Sequence, residues 1–486
     1  MRFSLQSLLR LNHGTITFFV VFLVVVLFLT GVPFLDLIEL KTYDLRYVSR
    51  GAGKPSDAVA LAVIDEKSLD TEGRWPWPRS KIADLVEVLS RDGAAVIGFD
   101  IGFLEPDENS RLGFLEELGR RAEVLDIDNP ELADFITESR RLADNDRILA
   151  EAIRNSSADV ILGYFFHMSE TDLDYQLARD ELDLRLQRIA DSKHPLVMFD
   201  DPGQQTAPFL RAYAPEANLQ ILAEASNGSG YFSVVSDPDG VVRWMPLMIR
   251  CGEDLYLPLS LACVWHYLGK PSMMVQVKRY GVEGVQLADR FIPTDEIGRL
   301  LINYLGPPKL FPYYSISEIL AGNIPDGTFK DRIVLVGASA IGTYDLRSTP
   351  FSPLYPGVEI HATVIDNIMT GQFITKPRWS MIFDLMAIVA MGVLSGLAAA
   401  RLGAAKGLLI TVGVFILYIV FARWLFIENR VWLNLVYPLL GLSLNYTGLT
   451  VYGYVTEQRE RRRIKGAFKH YVSPEVIEEM LKDPDR

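Results

Sequence analysis

Residues 59–100 read VALAVIDEKSLDTEGRWPWPRSKIADLVEVLSRDGAAVIGFD. Val59–Ile64 is a continuous apolar run ending at Asp65, the pattern of a strand buried on both faces. After a turn-rich stretch, Ile82, Leu85, Val86 and Leu89 recur at helical spacing, and Gly93 can end that helix. A second apolar run, 94–99, then ends at Asp100. Strand, helix and strand of these lengths predict a βαβ unit with parallel strands and a right-handed crossover. Asp65 and Asp100 then stand at strand C-terminal ends, the edge where open α/β sheets bind ligands. The pair can hold a cation, bind a polar ligand, meet loop amides or simply cap the next helix or loop. A metal site needs more oxygens than two carboxyl groups offer. If the carboxylates converge, Arg79 is the internal counter-charge.

Downstream, 144–155 reads as a helix and 159–164 as a strand, and the charge-dense 169–192 reads as a solvated excursion. Residues 231–235 and 241–250 read as a hairpin around Ser236-Asp-Pro-Asp-Gly240. Asp237 and Asp239 fit turn chemistry, because the spacing of a calcium loop is absent. A helix is expected over 257–268, short strands over 291–303 and a buried strand over 331–336. That last strand runs into Gly337-Ala-Ser-Ala-Ile-Gly342, with neither a P-loop lysine nor a full dinucleotide fingerprint after it. Asp345 and Arg347 place a charged pair beside the same edge. Residues 358–371 form a helix on which His361 shares a face with Val364, Ile365 and Ile368. A lone histidine there is ordinarily a core residue. Asp65, Arg79, Asp100, Asp345, Arg347 and His361 are the candidate ligand-binding residues, taken from strand ends and polarity. No HExxH, CxxC or GxSxG occurs, so no catalytic residue and no metal site is assigned. Cys251 and Cys263 are too few for a disulfide framework, and whether they pair stays open.

Around this α/β region the chain turns apolar. Residues 16–35 form an uncharged stretch of spanning length, read as a retained anchor rather than a signal peptide. Three more candidates are 379–400, 404–426 and 431–455. Arg2 and Arg10, then Arg401 and Lys406, then the Arg459–Lys465 cluster all fall on one side if the chain crosses four times. Residues 36–378 then lie outside the cytoplasm and both termini inside it, in a multi-pass protein of the cell's inner (plasma) membrane. The net charge of −13 is concentrated in the outside region and argues against a nucleic-acid partner there.

Several stretches carry a family resemblance: WPWPRSKIADLVEVLSRDGAAVIGFDIGFLEPD (75–107), GYFSVVSDPDGVVRWMPLMI (230–249), INYLGPP (302–308), FKDRIVLVGASAIGTYDLRSTPF (329–351) and PGVEIHATVIDNIMTG (356–371). Together they resemble the bacterial extracytoplasmic sensor domain CHASE, type 2, with its layout of one anchor, the sensor and three membrane helices. The final segment, RRRIKGAFKHYVSPEVIEEMLKDPDR (461–486), resembles the junction before class III adenylate and guanylate cyclase domains. That resemblance implies a catalytic domain downstream of Arg486, and only there two divalent metal ions (Mg or Mn); no cofactor belongs to 1–486. It also implies a homodimer in which Arg459, Arg461, Arg462, Arg463, Phe468, Tyr471 and Pro474 couple the signal.

The expected architecture is an α/β extracytoplasmic sensor domain, a mixed sheet with βαβ units and β-hairpins, plus four α-helical transmembrane segments. In order: cytoplasmic 1–15, transmembrane 16–35, sensor 36–378, bundle 379–455, and signalling helix with cyclase linker 456–486. Its expected partners are membrane lipid, an extracytoplasmic ligand and a second copy, and its expected output is a cyclic nucleotide, cAMP first. The alternatives are a histidine or serine/threonine kinase output, or a non-enzymatic membrane binding module.

Overall fold

The structure, a computed structural model, describes residues 12–107, 110–125, 127, 129–201, 207–340 and 346–468. The principal elements in chain order begin with α1 (His13–Thr30), α2 (Pro33–Arg50), β1 (Val59–Ile64), α3 (Arg79–Arg91), β2 (Val96–Phe99), α4 (Asn145–Asn155) and β3 (Asp159–His167). They continue with β4 (Gly228–Tyr231), α5 (Leu259–Tyr267), β5 (Tyr313–Ser315), β6 (Ile333–Ala338), α6 (Gly357–Thr370), α7 (Trp379–Glu428) and α8 (Val436–Phe468). Two compact units result: Tyr47–Thr375, and the chain before Tyr47 together with that from Lys376 onward.

In the first unit, β1 is buried along its whole length, which fits its unbroken apolar sequence. The central sheet runs β5-β1-β6-β2-β3-β4, every one of these pairs parallel, with Ala214–Glu216 antiparallel on the far end of β3. The expected βαβ unit therefore forms with the right strand direction, but β6 lies between β1 and β2. Local patterning sets a strand's direction; it does not say which distant strand will slide in beside it. One face of the sheet, with Ala60, Ala62, Ile64, Ile97, Phe99, Val334 and Val336, packs on Ile82, Leu85, Val86 and Leu89 of α3 and Leu149 and Ile153 of α4. Each of these fully buried large aliphatic side chains contributes about 1.5–3 kcal/mol. Helices α5 and α6 cover the other face. There Gly98 and Gly230 are required: a Cβ on Gly98 would lie 2.6 Å from Cys263 Sγ, and one on Gly230 would lie 2.6 Å from the backbone of Leu259. Both cysteines are buried free thiols.

The expected hairpin at 236–240 is corrected. Its turn is present, with Gly240 N–H donating to Asp237 O at 2.8 Å, but the arms form no ladder, sharing an isolated Val235–Trp244 bridge and a hydrogen bond from the Tyr231 hydroxyl to Pro246 O. Beyond it, Trp244–Pro246 pairs with Arg299–Leu301, and Ile249–Cys251 pairs with Asp254–Tyr256. The second arm pairs away from the first, and Arg243, with a fully buried side chain, donates to Asp237 Oδ2 at 2.8 Å and to both carboxylate oxygens of Asp239 at 2.8–2.9 Å. Those two aspartates hold an arginine, as a buried cation requires.

In the second unit the expected span at 16–35 shifts to His13–Thr30. Asn12 and Thr15 close a capping box at its start, Gly31 (φ 67°) stops it, and Pro33 opens α2. Helix α7 is two helices broken at Gly403, whose φ of 73° and ψ of 174° lie outside any helix. Among the described residues three helices are long and apolar enough to cross a membrane: His13–Thr30, Trp379–Gly403 and Ala405–Glu428. The fourth expected crossing, 431–455, is helical from Val436, but its asparagines, serine, threonines and tyrosines leave it short of that apolarity. Polar groups of this stretch are used inside: Asn445 Nδ2 donates to Gly392 O and to Ser395 Oγ, both at 2.7 Å. Asn434 Nδ2 likewise donates to Asp384 Oδ2 at 2.6 Å.

Candidate functional site

The parallel sheet collects the C-terminal ends of β1, β6 and β2 along one edge, so Asp65, Ser339 and Asp100 succeed one another across it. Because β6 intervenes, the two aspartates start two strand spacings apart, about 9.5 Å. Their side chains then go to different work. Asp65 caps the short helix Glu66–Glu72, accepting from Ser68 N and from Ser315 Oγ at 2.8 Å each. Burial opposes its ionisation, yet these hydrogen bonds outweigh it and hold the carboxyl below its usual value.

Asp100 turns toward the α5/α6 face. Its Oδ1 lies 3.8 Å from His361 Nε2, and both side chains are almost wholly buried. That distance is an electrostatic approach, longer than a hydrogen bond. Nδ1 of the same ring has no hydrogen-bond partner among the described residues. Burial pushes His361 down to about 4, the Phe232 carbonyl acts the other way, and the Arg347 charge adds to the depression. The imidazole is therefore neutral at physiological pH, with one nitrogen facing a carboxylate. Burial beside Asp100 also pushes the Cys263 thiol well up, so it is a packing group rather than a nucleophile.

Arg79 belongs elsewhere. It sits at the start of α3 on the opposite face of the sheet, its guanidinium 4.8 Å above the Phe103 ring and its Nε 3.6 Å from Asp146 Oδ1. Its backbone N–H donates to Asp107 Oδ2 at 3.1 Å, and Asp107 N–H in turn donates to Asp146 Oδ2 at 2.9 Å. Burial raises Asp146 in spite of the arginine. The counter-charge expected for Asp65 and Asp100 is thus committed to a carboxylate on α4. Arg347 lies exposed in the two-residue strand Leu346–Arg347, paired with Tyr355–Pro356. Asp345 lies outside the described residues. Of six candidates, the fold brings Asp100 and His361 together and puts Arg347 within electrostatic reach of the histidine.

The sequence profile of the CHASE2 domain matches residues 19–400. The chain belongs to the CHASE2 family. Comparison with curated proteins and with solved structures returned no match. A CHASE2 domain is a sensor that receives a signal outside the cell and transmits it, and the apolar helices at both ends of the match make this chain a membrane protein.

The residues expected to couple the signal lie on or just after α8, which runs unbroken from Val436 to Phe468. Arg459, Arg461, Arg462 and Arg463 are exposed on it, and Arg461 pairs with Glu457 at 2.8 Å one turn back. Phe468 ends the described helix; Tyr471 and Pro474 lie outside the described residues.

Sequence reading missed one cluster in this unit. Glu39 and Arg46 of α2 are both buried and joined at 2.7 Å, and Glu39 also reaches the residues that open α8. A usable signal was present: an acid and a base seven residues apart, two turns along one face, on a helix directly after an apolar span.

Proposed function

We propose that this chain is the sensory and membrane-coupling part of a receptor-type class III nucleotide cyclase, converting an extracytoplasmic signal into cytoplasmic cAMP synthesis. The observation that carries the reading is the CHASE2 match followed by one continuous helix that leads from apolar sequence into the exposed arginines 459–463. In this reading residues 36–378 face outward, α8 makes the fourth crossing despite its polar content, and both termini are cytoplasmic. The interior hydrogen bonds of Asn434 and Asn445 support that crossing, because a buried amide with its partners in place is tolerated in a helical bundle. The exposed arginines suit anionic headgroups at the inner surface.

Class III cyclases act as pairs, so the working unit is a homodimer, and the metal ions belong to the catalytic domain. A ligand that favours one arrangement of the dimer by about 1–3 kcal/mol changes output several-fold or more. The Asp100–His361 edge, with the Arg347 charge acting on the histidine, is where that ligand is read. Asp65 and Arg79 are structural in this scheme.

The test has two arms. The natural full-length chain in proteoliposomes, supplied with ATP and Mg or Mn, is expected to release cyclic AMP; autophosphorylation without any cyclic nucleotide sinks the cyclase and favours a kinase output. A thermal-shift screen of small polar metabolites and divalent cations is then repeated on Asp100→Ala and His361→Gln chains. Equal ligand shifts in all three remove this edge from consideration.

A further inference from the structure

The Glu39 carboxylate stands at the N-terminus of α8. Its Oε2 accepts from Leu435 N at 2.8 Å and from Val436 N at 2.9 Å, at the helix start, where backbone amides lack an intrahelical partner. Its Oε1 accepts from Arg46 Nη2 at 2.7 Å and from the Trp432 indole N–H at 3.0 Å. Arg46 closes the ring by donating through Nη1 to Leu433 O at 2.8 Å. Glu39 and Arg46 are each only 4% exposed. These bonds of the carboxylate run to the approach and opening of α8 and to the arginine that neutralises it. Tyr437, one residue into α8, adds a second tie on the same helix, its hydroxyl donating to Asp36 Oδ1 at 2.7 Å.

We propose that Glu39 is the pin by which α2 holds the exit helix. The helix that comes after the first apolar span supplies the missing N-cap of the helix that carries the output arginines. A buried anion suits this place twice over: it satisfies donors that apolar surroundings would leave bare, and it lies at the positive end of the helix dipole. The residue just before α8 is Leu435, whose side chain has no acceptor to offer, so the first turn depends on α2 being docked. Displacing α2 therefore frays or shifts the start of α8, and the continuous helix carries that change to Arg459–Arg463. This deepens the proposed signalling role and rests on α8 being the output helix.

The test is hydrogen exchange by mass spectrometry on the full chain in lipid nanodiscs, tracking the peptide that covers residues 434–440. Glu39→Gln is expected to speed exchange there by about tenfold or more, since bonds to a charged group are lost, with the sensor-sheet peptides unchanged. Glu39→Gln exchange equal to wild type overturns the pin. The swapped chain Glu39→Arg with Arg46→Glu keeps an ion pair but turns a cation toward the α8 amides, and it is expected to exchange as fast as Glu39→Gln. Protection restored by the swap overturns the capping role and leaves an ion pair alone. If Glu39→Gln fails to fold, Glu39→Asp, which keeps the charge but shortens the reach to the Leu435 and Val436 amides, is read in its place: faster exchange supports the pin and wild-type exchange overturns it. The readout involves neither ligand nor cyclic nucleotide, so it stands or falls separately from the output chemistry.

Discussion

The two units solve burial differently. In the sensor unit Val59–Ile64, Ile82, Leu85, Val86 and Leu89 are inside, and large apolar side chains make up most of the interior. In the membrane unit Phe18, Phe22, Leu409 and Leu417 are each more than half exposed, whereas Asp384, Asn445, Glu39 and Arg46 are inside. One chain therefore holds a unit whose large apolar side chains are mostly inside and a unit that also shows many of them on its surface while burying polar groups among apolar ones such as Val24, Ile388 and Leu442. Lipid tails are as apolar as leucine, so the membrane helices gain no hydrophobic drive from hiding leucines from one another. Hydrogen bonds and close packing have to set their register. In the sensor the hydrophobic core supplies the drive, and the polar groups buried in it, such as Arg243 and Asn367, are held by specific partners.

That contrast can be broken by substitution. Leu85→Ala removes a fully buried side chain from the α3 core and is expected to cost about 2–5 kcal/mol in denaturant unfolding. Leu417→Ala, on a side chain 68% exposed, is expected to leave the same midpoint within experimental scatter in detergent or lipid. Equal losses would show that the Leu417 face is packed against protein, and the contrast would fail.

Acid sharpens the sensor half. His194 and His361 are both buried and held at about 4, below the ordinary histidine value of about 6.5. Between those values the unfolded chain binds protons that the folded chain refuses, so stability rises with pH through the window from 4 to 6.5 and is full above it. Each histidine is expected to withdraw up to about 3 kcal/mol as pH falls to 4. His361→Gln is expected to flatten that part of a stability-against-pH curve, whereas an unchanged slope would mean the imidazole is solvated.

The smaller effect lies in the membrane half. Asp384→Ala leaves the Asn434 amide without its 2.6 Å acceptor and is expected to cost about 1–3 kcal/mol. Asp384→Asn restores an acceptor and is expected to recover most of it. Failure of both to change unfolding in lipid would mean that polar contacts do not set this register.

The sensor half was largely legible in the sequence. Continuous apolar runs placed β1 and β2, helical spacing placed α3, and strand-end position singled out Asp65 and Asp100. What local pattern cannot carry is pairing at long range. The insertion of β6 between β1 and β2 and the capture of Arg79 by Asp146 depend on residues far along the chain. Of the site, Asp100 and His361 were named for separate reasons, and only the fold places them 3.8 Å apart. The membrane half was legible as apolar length and little else. A capping box moved the start of α1, a single glycine moved its end, and the charges that matter most, Glu39 and Arg46, gain their partners only when α2 meets the start of α8.

Gly98 and Gly230 have a mechanical meaning. Where α5 crosses the sheet at these two positions, no strand side chain lies between helix and strand, so backbone and thiol rest directly against backbone. Close-packed interiors compress little and pass strain on. A ligand that nudges α5 by a fraction of an ångström meets no soft cushion there; strands and helix move as a stiff plate, and the displacement survives the thickness of the domain.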